Sequence, residues 1–517
     1  MADILSKTLS FGVSGVNGFP VDVEVFAAGG MPMMEIIGLP DTSVRESKNR
    51  VNAAIVNCGR DTGTNYRITV NLAPADIKKE GPSFDLPIAV GTMIATDMLH
   101  PDPQVDLSGI AFFGELSLDG GVRPINGALP MAISAKENGI SQIVLPRENA
   151  KEVSCIQGLR IMPVSHLKQV IDWLEQLEGI QAFETVSFET LKNEAVIVND
   201  MAQIRGQKGA RRALEVAAAG GHNMLMIGVP GSGKTMLARS VPGILPPMSF
   251  EESLETTRIH SICGKLPAGS GLMITRPFCA PHHNASVASL IGGGPDARPG
   301  EVSLAHNGVL FLDELPEFSR SALEALRQPL EDGIVSVSRV KRQAQYQSSF
   351  MLIAAMNPCP CGYFGSTRRS CRCTPPEIRR YLDRVSGPLL DRIDLQIEVD
   401  SVPLNEINDS GPSECSAAVA QRVAKARAVQ LERYHGTGKH CNAQLTNADV
   451  NRYCVPDAEA LRLLNAAVDT LHLSMRAYQR ILKVARTIAD LAGEGSISSA
   501  HVAEAVQYRE LDQKYWR

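Results

Sequence analysis

Apolar and polar residues alternate along Val21-Asp-Val-Glu-Val-Phe26 and again along Tyr66-Arg-Ile-Thr-Val-Asn-Leu72, the two-residue period of half-buried strands. Leu129 to Asn138 instead carries a helical pattern closed by Gly139, a common helix stop. Residues 1–175 therefore predict an α+β domain, and the mixed polar stretch 176–200 a linker. From residue 201 the order becomes helix (Gly209 to Ala219), apolar strand (Asn223 to Ile227), glycine-rich turn and helix (Thr235 to Val241), which opens a doubly wound parallel sheet. Apolar runs at Val309 to Leu312 and from Met351 up to Asn357 add buried strands, so that this layer should occupy 201–400. Past Glu398 the pattern turns helical, near Ala417 to Tyr434 and from Asp457 onward, predicting a helical lid over 401–517. The fold class is α/β, with an α+β domain in front of the parallel sheet and helices behind it.

Composition changes this picture little. Hydrophobic residues at 44% and charged residues at 21% describe an ordinary globular protein. No apolar run approaches the roughly 18 residues of a membrane span, and Met1-Ala2-Asp3 begins no signal peptide, so a cytoplasmic protein without membrane contact is expected. The net charge of −5 excludes a global attraction to nucleic acid, so any such contact needs a local basic surface. Eleven cysteines in such a chain read as reduced thiols rather than a disulfide framework.

The glycine-rich turn carries the chemistry. Gly228-Val-Pro-Gly-Ser-Gly-Lys-Thr235 is a Walker A loop, in which Gly228, Pro230, Gly231, Ser232 and Gly233 let backbone N–H groups turn inward around phosphates at a helix N-terminus. Lys234 reaches the β/γ phosphates and Thr235 offers a hydroxyl to Mg²⁺. The later strand in Gly308-Val-Leu-Phe-Leu-Asp-Glu-Leu315 delivers Asp313 to the same metal shell and Glu314 to the place where an attacking water is deprotonated. These residues predict binding and hydrolysis of a nucleoside triphosphate with Mg²⁺; the purine base is left open.

Further segments resemble a specific ATPase class. Ile204-Arg-Gly-Gln207, with Ile204 and Gly206, resembles the adenine-pocket motif of AAA+ proteins. Met351-Leu-Ile-Ala-Ala-Met-Asn357 resembles a sensor 1 strand whose asparagine holds the attacking water. Leu389-Leu-Asp-Arg-Ile-Asp394 is similar to the segment carrying an arginine finger, here Arg392, in the magnesium-chelatase and MCM branch, and Ser474-Met-Arg476 resembles sensor 2. A guanidinium suits both places, because its planar fork contacts two oxygens of the transferring phosphoryl group. A finger acting on a neighbouring subunit implies an oligomer, expected to be a hexameric ring. Arg276-Pro-Phe-Cys-Ala-Pro-His-His283, Leu290-Ile-Gly-Gly-Gly294 and the hairpin Gly333 to Tyr346 resemble the helix-2 insert and presensor-1 hairpin of magnesium-chelatase-type modules, which face the ring channel. That hairpin carries the candidate DNA contacts Arg339, Lys341 and Arg342. His282 and His283 are expected to be structural, because adjacent histidines on a loop seldom share one ion.

Glu80-Gly-Pro-Ser-Phe-Asp-Leu-Pro87 with Gly114 to Gly127 resembles the Lon protease fold. Ser83 falls at that family's nucleophile, but its lysine base falls at Leu129, which cannot deprotonate a serine. A protease-like scaffold without peptidase chemistry is expected, with Ser83 capping a loop. A degenerate Lon-like domain joined to a magnesium-chelatase-type AAA+ module resembles the ComM/YifB family over essentially the whole chain. That resemblance implies an ATP-driven DNA helicase promoting branch migration in homologous recombination, including integration of transforming DNA. Two other classes stay open, a chelatase-type motor acting on a protein partner and an ATP-dependent protease.

Cys359-Pro-Cys361 and Cys371-Arg-Cys373 read either as a four-thiolate zinc site or as reduced thiols in a loop. Between Ser336 and Arg384 nine Arg or Lys residues face two acids, which makes this stretch either a phosphate-binding surface or a solvated basic face.

Overall fold

The structure is a computed structural model that describes residues 4–60, 66–192, 199–267, 269–294, 297–339, 342–366, 369–401 and 413–516. It divides into two compact units. One takes the described residues up to Lys192 together with Phe250–Ile274; the other takes Asn199–Ser249 and everything from Thr275 onward.

The first unit is built on a seven-stranded mixed sheet. Its strand order is Met33–Ile37, Tyr66–Ala73, Asn17–Gly29, Ile4–Ser14, Ile110–Phe112, Gln142–Pro146 and Arg160–Val164. The two alternating segments are strands here, longer than the pattern predicted, and they pair antiparallel with each other, Val23 opposite Leu72. Alternation works as expected, with Val21, Val23, Val25 and Ala27 buried on one face. The helix foreseen at Leu129 runs Ala128–Glu137, and Gly139 follows it at φ +80°, the left-handed stop that glycine adopts at no steric cost.

Two boundaries differ from the sequence expectation. Within the expected linker, Phe183 donates its N–H to the Ile161 carbonyl at 2.8 Å and Val186 to that of Ser154 at 3.1 Å. Leu191, on the short helix Phe188–Lys192, is buried with Leu129, Cys155 and Leu272. The stretch is polar in sequence, yet its few apolar residues dock. Residues 250–274, expected inside the AAA+ layer, belong to this first unit for the same reason. Leu254, Leu272 and Ile274 join the same apolar cluster, and Ser261 donates to Glu152 at the floor of that contact.

The second unit holds a five-stranded parallel sheet in the order Phe278–Cys279, Val309–Leu312, Met351–Met356, Met224–Ile227, Leu395–Glu398. Numbered along the chain, that is 2-3-4-1-5. Three of these strands are buried at every residue, Met224–Ile227, Val309–Leu312 and Met351–Met356, which explains why they read as continuous apolar runs. The first strand, Met224–Ile227, sits where the order reverses, so the crevice at its C-terminal end is the place for a ligand. The C-terminal helices Ser416–Arg433, Ala458–Leu471, Met475–Ala492 and Ser499–Gln507 share one apolar cluster with this sheet and helix Lys208–Gly220.

Polar groups fix that contact. Asp394, at the foot of the last strand, accepts from Arg480 at 2.8 Å and lies 3.2 Å from His222 Nδ1, whose Nε2 meets Thr487 at 2.8 Å. Burial pushes the Asp394 carboxyl up, but Arg480 and His222 outweigh it and hold it well below the usual carboxylate range. Asp394→Asn should lower stability by about 3 kcal/mol, because Arg480 is left without its counter-charge. A depressed folded pKa gives stability that is complete above the unfolded value of about 4 and is lost as pH falls through the folded one. The gap in melting temperature between parent and variant should therefore hold from pH 7 to 5 and narrow in stronger acid, as measured by circular dichroism.

Candidate nucleotide-hydrolysis site

The glycine-rich loop leaves the strand Met224–Ile227 and enters the helix Lys234–Ser240, one residue earlier than expected. Gly228 is required by packing, because a Cβ there would lie 2.2 Å from the Val399 carbonyl. Gly231 and Gly233 have φ of +78° and +91°, which other L-residues adopt only at a cost. Lys234 Nζ donates to the carbonyls of Gly228 at 2.7 Å and Val229 at 3.0 Å, and to Asn357 Oδ1 at 3.3 Å. Burial lowers its pKa, while Asp313 and Glu314 work in the opposite direction.

Parallel register assembles the rest. Leu312 pairs with Ala354, and Met356 with Ile227, so Asp313, Asn357 and Gly228 leave three adjacent strands at one edge. Thr235 Oγ1 donates to Asp313 Oδ2 at 2.9 Å. A hydroxyl and a carboxylate already in contact are the oxygen donors that Mg²⁺ prefers, so this pair fits the ion. Glu314 follows with φ +53°, a left-handed turn rare for a residue with a side chain, and its N–H donates to Asp313 Oδ1 at 3.0 Å. Beside the helix Lys234–Ser240, a cleft of about 270 Å³ is lined by Asn199, Asp200, Gln203, Ile204, Thr235, Met236, Arg239 and Ser240. Ile204 therefore stands where an adjoining base would pack. Gly206 (φ +65°) precedes Gln207, whose amide donates to the Ser232 carbonyl at 3.2 Å.

The two guanidinium groups meet each other's neighbours rather than the phosphate loop. Arg392 is 9% exposed, ion-paired with Glu331 and bonded to the Pro388 carbonyl at 2.7 Å; this partner holds the Glu331 carboxyl below its usual range. Arg476 lies 3.4 Å from Asp391, the residue beside Arg392, and is exposed. Sequence patterns do not reveal such pairings. They also missed His283, whose Nδ1 lies 3.3 Å from Glu314 Oε2.

The four cysteines converge, their sulfur atoms all within 4.8 Å of one another. Cys359 Sγ is 3.4 Å from Cys361 and 3.7 Å from Cys371. Gly362 in this loop abuts the phosphate loop, since a Cβ on it would lie 2.6 Å from Pro230. The expected hairpin pairs Ile334–Arg339 with Arg342–Gln347, Arg339 opposite Arg342. Lys341 and the side chains of Arg339 and Arg342 lie outside what is described. In the first unit Ser83 is buried and its hydroxyl has no hydrogen-bond partner among the described residues. This corrects the expectation of a capping serine. Leu129 is fully buried, and its N–H donates to Glu152 at 3.1 Å.

Family models describing the magnesium chelatase subunit ChlI match residues 23–149 and 200–407, and one for its C-terminal part matches 413–509. The chain is 43% identical to the competence protein ComM of Haemophilus influenzae over 499 residues, 96% of each chain. It is 42% identical to the YifB protein of Escherichia coli K12 over 500 residues, again 96% of each. The chain belongs to the ComM/YifB family. Similarity of this family member to Lon protease 2 of Bacillus subtilis is narrower, 34% over 110 residues, 21% of the chain and 19% of that protease.

If the edge of the parallel sheet is the hydrolytic site, Lys234→Ala should weaken ATP binding about ten- to a hundredfold, the loss of charge-assisted contacts to phosphate. Glu314→Gln should bind ATP within about threefold of the parent and turn over at least about a hundredfold more slowly. Equilibrium binding and phosphate release measured on the same preparations separate the two effects.

Proposed function

We propose that this chain is an ATP-hydrolysing ring motor that binds DNA and drives branch migration and strand displacement during homologous recombination. The observation that carries the reading is the single sheet edge holding Gly228, Lys234, Thr235, Asp313, Glu314 and Asn357, in a chain 43% identical to a competence protein. Glu314 takes a proton from the attacking water, Asn357 orients it, and Lys234 stabilises charge on the phosphoryl oxygens. Mg²⁺ held by Thr235 and Asp313 supplies electrostatic neutralisation there. Arg392 and Arg476 complete the site, Arg392 from a neighbouring subunit of a hexamer after leaving Glu331. Arg339, Lys341 and Arg342 grip DNA phosphates. The assignment excludes peptidase chemistry, since Ser83 has no basic partner.

A second reading is favoured by the family models, all three of which describe a magnesium chelatase subunit. There the same ATPase drives a protein partner instead of DNA. Turnover with and without single-stranded, double-stranded and four-way-junction DNA separates them. The DNA motor predicts stimulation by DNA and migration of the junction; absence of both would favour the protein-remodelling motor. In the trans arrangement, inactive Arg392→Ala mixed with inactive Lys234→Ala should recover part of the turnover, because some interfaces then pair an intact loop with an intact arginine. Zero activity in verified mixed rings contradicts that assignment.

The Cys359, Cys361, Cys371 and Cys373 cluster is read as a structural zinc site, because four close sulfurs suit tetrahedral Zn²⁺. Metal analysis should find close to one zinc per chain, and Cys371→Ser should lower both zinc content and melting temperature, since metal binding energy is folding energy. Active protein free of zinc overturns it.

A further inference from the structure

We propose that His283 is a positioning residue for Glu314, holding one carboxylate oxygen so that the other is left to act on the attacking water. This rests on the reading of Glu314 as the base of ATP hydrolysis.

The geometry follows from strand pairing. Phe278–Cys279 lies parallel to Val309–Leu312 with Cys279 opposite Leu310. Four residues on from that pair stand His283 and Glu314, so both chains leave the sheet at the same edge and at the same level. There Nδ1 lies 3.3 Å from Oε2, with the histidine side chain 29% exposed and the glutamate 52%. The imidazole is itself braced. His282 packs against it with ring centroids 4.1 Å apart, and His282 Nδ1 accepts the Asn284 N–H at 3.3 Å. The segment is then anchored by the helix Val287–Ile291, capped by Ser286 at 3.1 Å and fixed by fully buried Leu290. On the other side Glu314 has its backbone held by Asp313, and its charge reaches Lys234.

A half-exposed carboxylate on a left-handed turn has several rotamers, and only one presents an oxygen to a water in line with the γ-phosphorus. With its proton on Nδ1 the ring donates to Oε2, leaving Oε1 to accept. In the step served, a water O–H bond breaks and its proton passes to Oε1. The oxygen forms a bond to phosphorus, and the bond to the bridging β–γ oxygen breaks with its electron pair leaving on ADP. Orientation of a base by a third group is a recurring device, and a misplacement of about 1 Å costs on the order of a hundredfold in rate.

The test compares parent, His283→Ala, His283→Gln, Glu314→Gln and the Ala/Gln double variant for ATP turnover, nucleotide affinity and melting temperature. His283→Ala should lower kcat about ten- to a hundredfold with KM and nucleotide affinity unchanged. His283→Gln, which keeps an N–H donor, should recover part of the loss. In the Glu314→Gln background, His283→Ala should add nothing, because the group it positions is gone. Parental or raised kcat in His283→Ala, a change confined to KM, or losses that multiply in the double variant would overturn the proposal. If Glu314→Gln itself turns over like the parent, the assignment of the base fails instead, a result separate from any behaviour of His283.

Discussion

Strand Met351–Met356 lies hydrogen-bonded between Met224–Ile227 and Val309–Leu312, and a one-residue slip in either pairing would carry every side chain of the slipped strand to the opposite face. Burial on both faces forbids that slip. These three strands are buried throughout, and each buried aliphatic side chain contributes about 1.5–3 kcal/mol. The register that satisfies the core therefore also delivers Gly228, Asp313 and Asn357 to one edge, and the contacts of Lys234 and Thr235 follow from it. Chemistry here is positioned by packing that has nothing chemical about it.

Two further contacts brace that edge. Asp394 ties the last strand to Arg480 on a C-terminal helix and to His222 beside the first strand, so the helices behind the sheet are held by a buried charge as well as by apolar area. From the other side the cysteine loop presses Gly362 against Pro230 of the phosphate loop. It begins directly after Asn357, so whatever orders the four sulfurs also limits where that amide can go.

Much of this was legible in the sequence. Strong periodicity located the strands around Val23 and Val70, the helix from Ala128 and the buried runs of the parallel sheet, because burial on one or both faces leaves a direct mark on composition. The phosphate loop and its acids were legible for another reason, as their spacing is dictated by a ligand. Periodicity does not say what an element packs against, so Phe250–Ile274 was placed with the wrong layer, and a polar stretch with three docking apolar residues passed for a linker. Side-chain partners left no trace at all. Glu331 with Arg392, and His283 with Glu314, are neighbours only because the fold brings distant segments together. For Ser83 the loop context suggested a capping hydroxyl, whereas enclosure beneath helix Asp85–Ala95 leaves it without a partner.

The measurement that bears most directly on this account is a cryo-electron microscopy structure of the Glu314→Gln protein with ATP, Mg²⁺ and a four-way DNA junction. The account predicts a closed ring in which Mg²⁺ contacts Thr235 and Asp313, the phosphates lie along Gly228 to Lys234, a neighbouring subunit's Arg392 reaches the γ-phosphate, and DNA passes the hairpin containing Lys341. Nucleotide bound away from that sheet edge, or a ring that leaves the DNA unbound, would contradict it.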